Sequence, residues 1–154
     1  IFYASGWGLP NCTCYAYGRY AEIMGKFPSY ARTVLNGNAE QFYRDASKDS
    51  NFSCGQTPKL GAIICWKCGN DSSGSDGAGH VGVVEAIDNN GDVTVSYSGY
   101  GSPYFATGKY TKSSGYYYSN NTGKSYQFQG FIYNPGVSSS SVSSGGGQNR
   151  PMTQ

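Results

Sequence analysis

Charge is scarce in this chain and histidine nearly absent: Asp, Glu, Lys and Arg make up 13% of its 154 residues, and His80 is the one histidine. The formal net charge of +2 is too small to hold a polyanion, which argues against nucleic acid as a partner. No long apolar run occurs, so no membrane insertion is expected. The first ten residues, IFYASGWGLP, lack the charged start and apolar stretch of an intact signal peptide. Export after removal of such a peptide, or by a route needing none, stays compatible with the sequence. Residues 1 to 11 also contain no Asp or Glu, so no hard-cation site can be assembled there.

Glycine and tyrosine are plentiful instead, at 23 and 15 residues. Tight turns and aromatic side chains favour a β-rich domain over a helical bundle. Five cysteines, Cys12, Cys14, Cys54, Cys65 and Cys68, are an odd number, so at least one lacks an intrachain disulfide partner. Nine of the 17 residues from 138 to 154 are Ser or Gly. That segment cannot bury enough apolar surface to order itself and reads as a flexible linker or tail. The folded domain is expected over 1–137, with something following the linker.

Helices come first and sheet afterwards. Residues 12–24 contain no Pro, begin after Asn11 and stop at Gly25, the residues that cap helices at either end. A second helix is expected over 38–48, with Ala39, Phe42, Tyr43 and Ala46 on one face. Strands are expected over 60–66, 80–87, 92–100 and 126–134, with a further one near YFATGKY, 104–110, and a long loop around it. Asn90-Gly91 suits a two-residue hairpin turn. The pattern is α+β, N-terminal helices on an antiparallel sheet.

Cys12 sits in the first turn of the first helix, where free N–H groups and the helix dipole favour a thiolate and can hold an oxyanion. A base that takes up and returns a proton near neutral pH is best supplied by His80. It follows GAG, small residues that leave room for a substrate. Cysteine on a helix N-terminus facing histidine on a sheet is the papain arrangement. Cys14 competes with Cys12. The two lie about 200° apart on a helix, so one faces the cleft and the other packs. Spacing alone does not choose.

The run NCTCYAYGR, 11–19, resembles the opening motif of the CHAP domains, cysteine- and histidine-dependent amidohydrolases and peptidases. Cys12, Thr13, Tyr15 and Arg19 match that motif, and Cys14 stands where Trp is usual. The resemblance continues through GNAEQFY, PKLGAIICW, GHVGVVE, GDVTVS and FQGFIYNP, and so covers residues 3 to 135. It implies a papain-like fold, Cys12 as nucleophile, Cys14 as a packing position and His80 as general base and acid. The implied activity is hydrolysis of peptidoglycan amide bonds, as an N-acetylmuramoyl-L-alanine amidase or a peptide or cross-bridge endopeptidase. The implied site of action is the bacterial cell wall, reached by secretion or during phage lysis, with a wall-binding module beyond the linker. Alternatives are a cysteine protease or transamidase acting on protein, and a non-catalytic wall-binding module.

No metal or other cofactor is expected. Cys65 and Cys68 in CWKC lack the second pair that zinc needs; a disulfide from Cys54 to one of them, or buried thiols, fits equally. GNDSSGSDG, 69–77, lacks the spacing and closing Glu of a calcium loop. Glu85, the acid nearest His80, lies about 17 Å along a strand and on the opposite face, which places it on the outer face of the sheet. The resemblance calls for a residue orienting His80 on the next strand. With Asn90-Gly91 as the turn, odd-numbered positions of that strand share the histidine's face. Tyr97 is then the one side chain there able to accept from the imidazole, with a backbone carbonyl or water as the alternative.

Overall fold

Asn11 starts the first helix by a local mechanism: its extended backbone cannot continue a helix, and its side-chain oxygen accepts the Thr13 N–H at 2.9 Å. The helix α1, Cys12–Met24, ends at Gly25, which takes φ +86° and donates its N–H to the Ala21 carbonyl at 2.8 Å. The expected bounds are those observed. The computed structural model describes residues 11–26, 29–68, 79–99, 105–113, 116–117 and 126–137. The linker at 138–154, the 69–77 segment and residues 1–10 lie outside them. A short helix α2, Ser29–Val34, was not expected; six residues are too few to show a helical period. Helix α3, Ala39–Ser47, follows Asn38, whose backbone N–H donates to Gln41 Oε1 at 2.9 Å.

The strands are β1 (Cys54–Gly55), β2 (Ile63–Cys68), β3 (His80–Ile87), β4 (Val93–Tyr97), β5 (Ala106–Tyr110), β6 (Lys112–Ser113), β7 (Tyr116–Tyr117) and β8 (Tyr126–Ile132). Six form an antiparallel sheet in the order β1-β8-β2-β3-β4-β5, and β6 pairs with β7. The α+β class is therefore observed. β2 starts later than expected because Gly61 takes φ +79° in a turn closed by Ala62 N–H on the Lys59 carbonyl at 3.2 Å.

The sheet is covered on both faces. Ile63, Cys65, Val81 and Val83 face the helices and pack with Cys12, Ala16, Tyr20 and Phe42. Ile64, Trp66, Val84 and Val95 form a second core on the other side with Tyr110 and Phe131. Burial of two such layers, at ~25 cal/mol per Å² of apolar surface, is what holds a chain of this size. None of the described helices is long and apolar enough to cross a membrane.

The β3–β4 hairpin differs from expectation in its turn. Asp88 and Asp92 flank a three-residue loop, with Asp88 N–H on the Asp92 carbonyl at 3.0 Å and Gly91 at φ +86°. Ala86 pairs with Thr94, but Val84 pairs with Val95, so Glu85 is an extra residue, a bulge. A three-residue loop alone would put even-numbered β4 positions on the histidine's face; the bulge offsets it, so the odd-numbered positions share that face as expected and Tyr97 stays on the histidine's side.

Candidate active site

Cys12 is the first helical residue of α1 and is 9% exposed. Burial pushes its thiol up to about 11, while the backbone N–H groups of Val81, Cys12 and Thr13 pull the other way. Two of those N–H groups belong to the helix start, where the Thr13 N–H is shared with the Asn11 side chain, and the third comes from β3. They lie where a negative sulfur or an oxyanion would need them. Asn11, the residue before the nucleophile candidate, caps the helix that carries it.

His80 opens β3 and is 5% exposed. Its ring stacks on Trp66, centroids 5.6 Å apart at 23°, and meets Tyr97 edge-on at 5.2 Å and 80°. Burial lowers its pKa to about 4, so the imidazole is neutral near pH 7. Tyr97 reaches it because Gly82 lets β4 come close: a Cβ there would lie 2.3 Å from Val95 Cγ1 and 3.0 Å from the Ser96 carbonyl. Gly79 has a similar reason. It takes φ +71°, and a Cβ would lie 2.4 Å from the Trp66 carbonyl and 2.9 Å from Glu40 Cβ. At Gly79 the lack of a side chain therefore serves chain packing rather than room for a substrate.

Cys12 and His80 come to adjacent points of β3 from different sides. Cys12 packs with Val81 in the helix-side core. His80 pairs with Trp66 across β2–β3 and turns towards that ring. Among the described contacts there is no thiol–imidazole hydrogen bond, so the resting pair is a buried thiol beside a neutral imidazole.

Glu85 is not on an outer face. It is 7% exposed and lies under α1, where it accepts Arg19 Nε and Nη2 through its two oxygens, each at 2.9 Å, and Ser96 Oγ at 2.7 Å. The alternation argument separates it correctly from His80 but misses that both faces of β3 are covered. Arg19 also donates Nη1 to Glu22 at 2.6 Å, and Tyr15 hydrogen-bonds the Ser96 side chain. Tyr15 and Arg19 of the opening motif thus tie α1 to β3 and β4. The Tyr15 hydrogen bond and the Arg19–Glu85 ion pair hold the helix to the sheet three and seven residues along from Cys12. Trp66 was also missed as a neighbour of His80, since only long-range register brings it there.

Cys14 is fully buried, and Cys12, Cys54 and Cys65 carry free thiols. A disulfide from Cys54 to Cys65 is therefore not formed; the Cys68 side chain lies outside the described residues. Burial raises the Cys65 thiol well above its usual range, and a buried neutral thiol of this kind is inert packing. Among the described residues no group of three His, Cys, Asp or Glu side chains could hold a metal ion.

Neutral His80 in a dry site links stability to pH. Its folded pKa, about 4, lies below the usual 6.5. The unfolded chain therefore takes up the proton first as pH falls, and stability declines from pH 6.5 towards 4. The full loss is about 3 kcal/mol. Urea unfolding of the parent across that window should show the decline, and His80→Gln should flatten it. Equal slopes would mean that the imidazole is solvated.

Three comparisons bear on this arrangement. Over 90 residues the chain is 38% identical to "Probable autolysin LDP" of Staphylococcus aureus, covering 58% of this chain and 28% of that protein. The solved structure of an N-acetylmuramoyl-L-alanine amidase from the same organism superposes with a TM-score of 0.54 at 19% identity, over 80% of this chain and 32% of that one. That match shows a shared fold. The chain spans about a third or less of either relative. Residues 2–99 match the CHAP domain profile, and with more than half of its length so matched, this chain belongs to the CHAP domain family.

Proposed function

We propose that this chain hydrolyses amide bonds of bacterial peptidoglycan, with Cys12 as nucleophile and His80 as general base and acid. The observation that carries the reading is the seat of Cys12: a thiol at a helix start, met by the N–H groups of Thr13 and Val81, one residue from the chain's single histidine. The relatives named as an autolysin and an amidase support the substrate class. Since both groups are neutral at rest, the proton leaves sulfur as sulfur attacks, rather than beforehand. His80 takes the thiol proton, the amide carbonyl becomes an oxyanion under the backbone N–H groups, and the proton then passes to the leaving amine. Water cleaves the resulting thioester and restores the thiol. The place of action is the cell wall, reached by secretion or in phage lysis, with a wall-binding module attached through the 138–154 linker.

Tyr97 is proposed to position His80 through its ring. Tyr97→Ala should lower kcat about tenfold, while Tyr97→Phe keeps the edge contact and the rate. If Phe loses as much as Ala, the hydroxyl takes part and the site is a triad.

Digestion of purified walls, with new termini assigned by mass spectrometry, tests the function. New amino and carboxyl ends support it. A second reading is a wall-binding module without catalysis. Binding to walls with no cut would select that reading, and cleavage of proteins but not walls would select a protease.

A further inference from the structure

Among the described residues one large apolar side chain stands out in water: Phe105, 61% exposed. It immediately precedes β5, the last strand of the sheet. Thr107, two positions on, pairs with Ser96, whose side chain faces Glu85 and α1. Phe105 shares that face and rests on Tyr15, ring centroids 5.8 Å apart at 59°. Tyr15 is three residues after Cys12 on the same helix, and such pairs lie about 5–6 Å apart. Phe105 therefore stands on the nucleophile's side of the sheet, two short steps from the sulfur, with its ring against Tyr15 and 61% of its surface exposed.

We propose that Phe105 is a stacking platform for a sugar ring of the wall glycan, and that it places the amide on that sugar's acyl arm at Cys12. This rests on the peptidoglycan reading and narrows it to the sugar-proximal bond. The chemistry of the neighbourhood selects the ligand. Among the described residues Arg19 neutralises Glu85, and Lys109 pairs with Asp88 at 3.0 Å, so these charged groups near the edge are compensated. A neutral, flat ring with polar edges fits, since the C–H face of a pyranose packs on an aromatic face while its hydroxyls stay in water. A second copy of the chain does not fit, because one ring falls far short of the ~800 Å² per partner that a stable dimer needs. With a sugar on Phe105, the amide on its acyl arm is the bond presented to the thiol. The arm's carbonyl reaches Cys12 and forms the thioester, the amino acid leaves as a free amine, and water returns the arm as a carboxylate.

The test compares a muramoyl peptide with the same peptide lacking the sugar. Phe105→Ala should raise KM for the muramoyl peptide about fivefold to tenfold, and Phe105→Trp should restore it. An unchanged KM, or hydrolysis by the parent of the sugar-free peptide alone, overturns the proposal. A second measurement stands apart from catalysis: NMR titration of Cys12→Ser with N-acetylmuramic acid should shift the Phe105 and Tyr15 ring resonances, and the shifts should vanish when Phe105→Ala is added. If the parent cuts neither peptide, the peptidoglycan reading fails and the titration alone decides on Phe105: shifts support the platform and their absence overturns it.

Discussion

Cys12→Ser should abolish wall lysis, by at least about 10³-fold, while Cys14→Ser should retain most of it. The two cysteines differ in what surrounds them more than in depth. Cys12 keeps 9% of its surface and has three backbone N–H groups acting on its sulfur. Cys14 has no exposed surface, so no substrate reaches it. A serine at position 12 keeps size and hydrogen bonding but is a far weaker nucleophile with a neutral imidazole as its only base. A serine at position 14 puts a hydroxyl into a buried site and should cost about 1–2 kcal/mol in stability without touching the reaction. Turbidity loss of a wall suspension measures the activity, and melting curves of both variants separate chemistry from folding. A dead Cys14→Ser with an active Cys12→Ser would overturn the assignment.

Glu85→Ala should destabilise the domain by about 3–5 kcal/mol, because it leaves the Arg19 guanidinium buried beside a single partly exposed acid. The side chains of Arg19 and Glu85 are 7% and 10% exposed, whereas that of Glu22 is 44% exposed. For a domain whose total stability is ~5–15 kcal/mol, this is a large fraction, equivalent to roughly a 10–20 °C drop in melting temperature. Replacing both partners, Arg19→Met with Glu85→Leu, should recover much of the loss, since the unpaired charge rather than the missing pair carries the cost. Urea unfolding measures both. A loss below about 1 kcal/mol for Glu85→Ala would mean that water reaches the pair.

What could be read beforehand was local. Asn11 and Gly25 bound α1 through their own cap chemistry, so both ends of the helix were legible, and so was the place of Cys12 at its start. β3 was legible from its continuous apolar run. The misses are non-local or very short. β1 is two residues long and exists only because β8 pairs with it. Glu85 reads as solvent-facing by alternation, and only the cover of α1 and the bulge make it a buried anchor. Trp66 against His80 depends on the β2–β3 register, with nothing near either residue in sequence to signal it.

The bulge at Glu85 imposes a parity rule on this hairpin. The loop between Asp88 and Asp92 holds an odd number of residues, and the extra residue in β3 compensates for it. Removing Glu85 alone would turn Tyr97 to the helix side and bring Ser98 round to His80. Removing one loop residue as well would return Tyr97 to the histidine. Insertions and deletions between 86 and 92 should therefore keep the register in compensating pairs and not singly, a constraint on loop grafting that no individual side chain in the hairpin reveals.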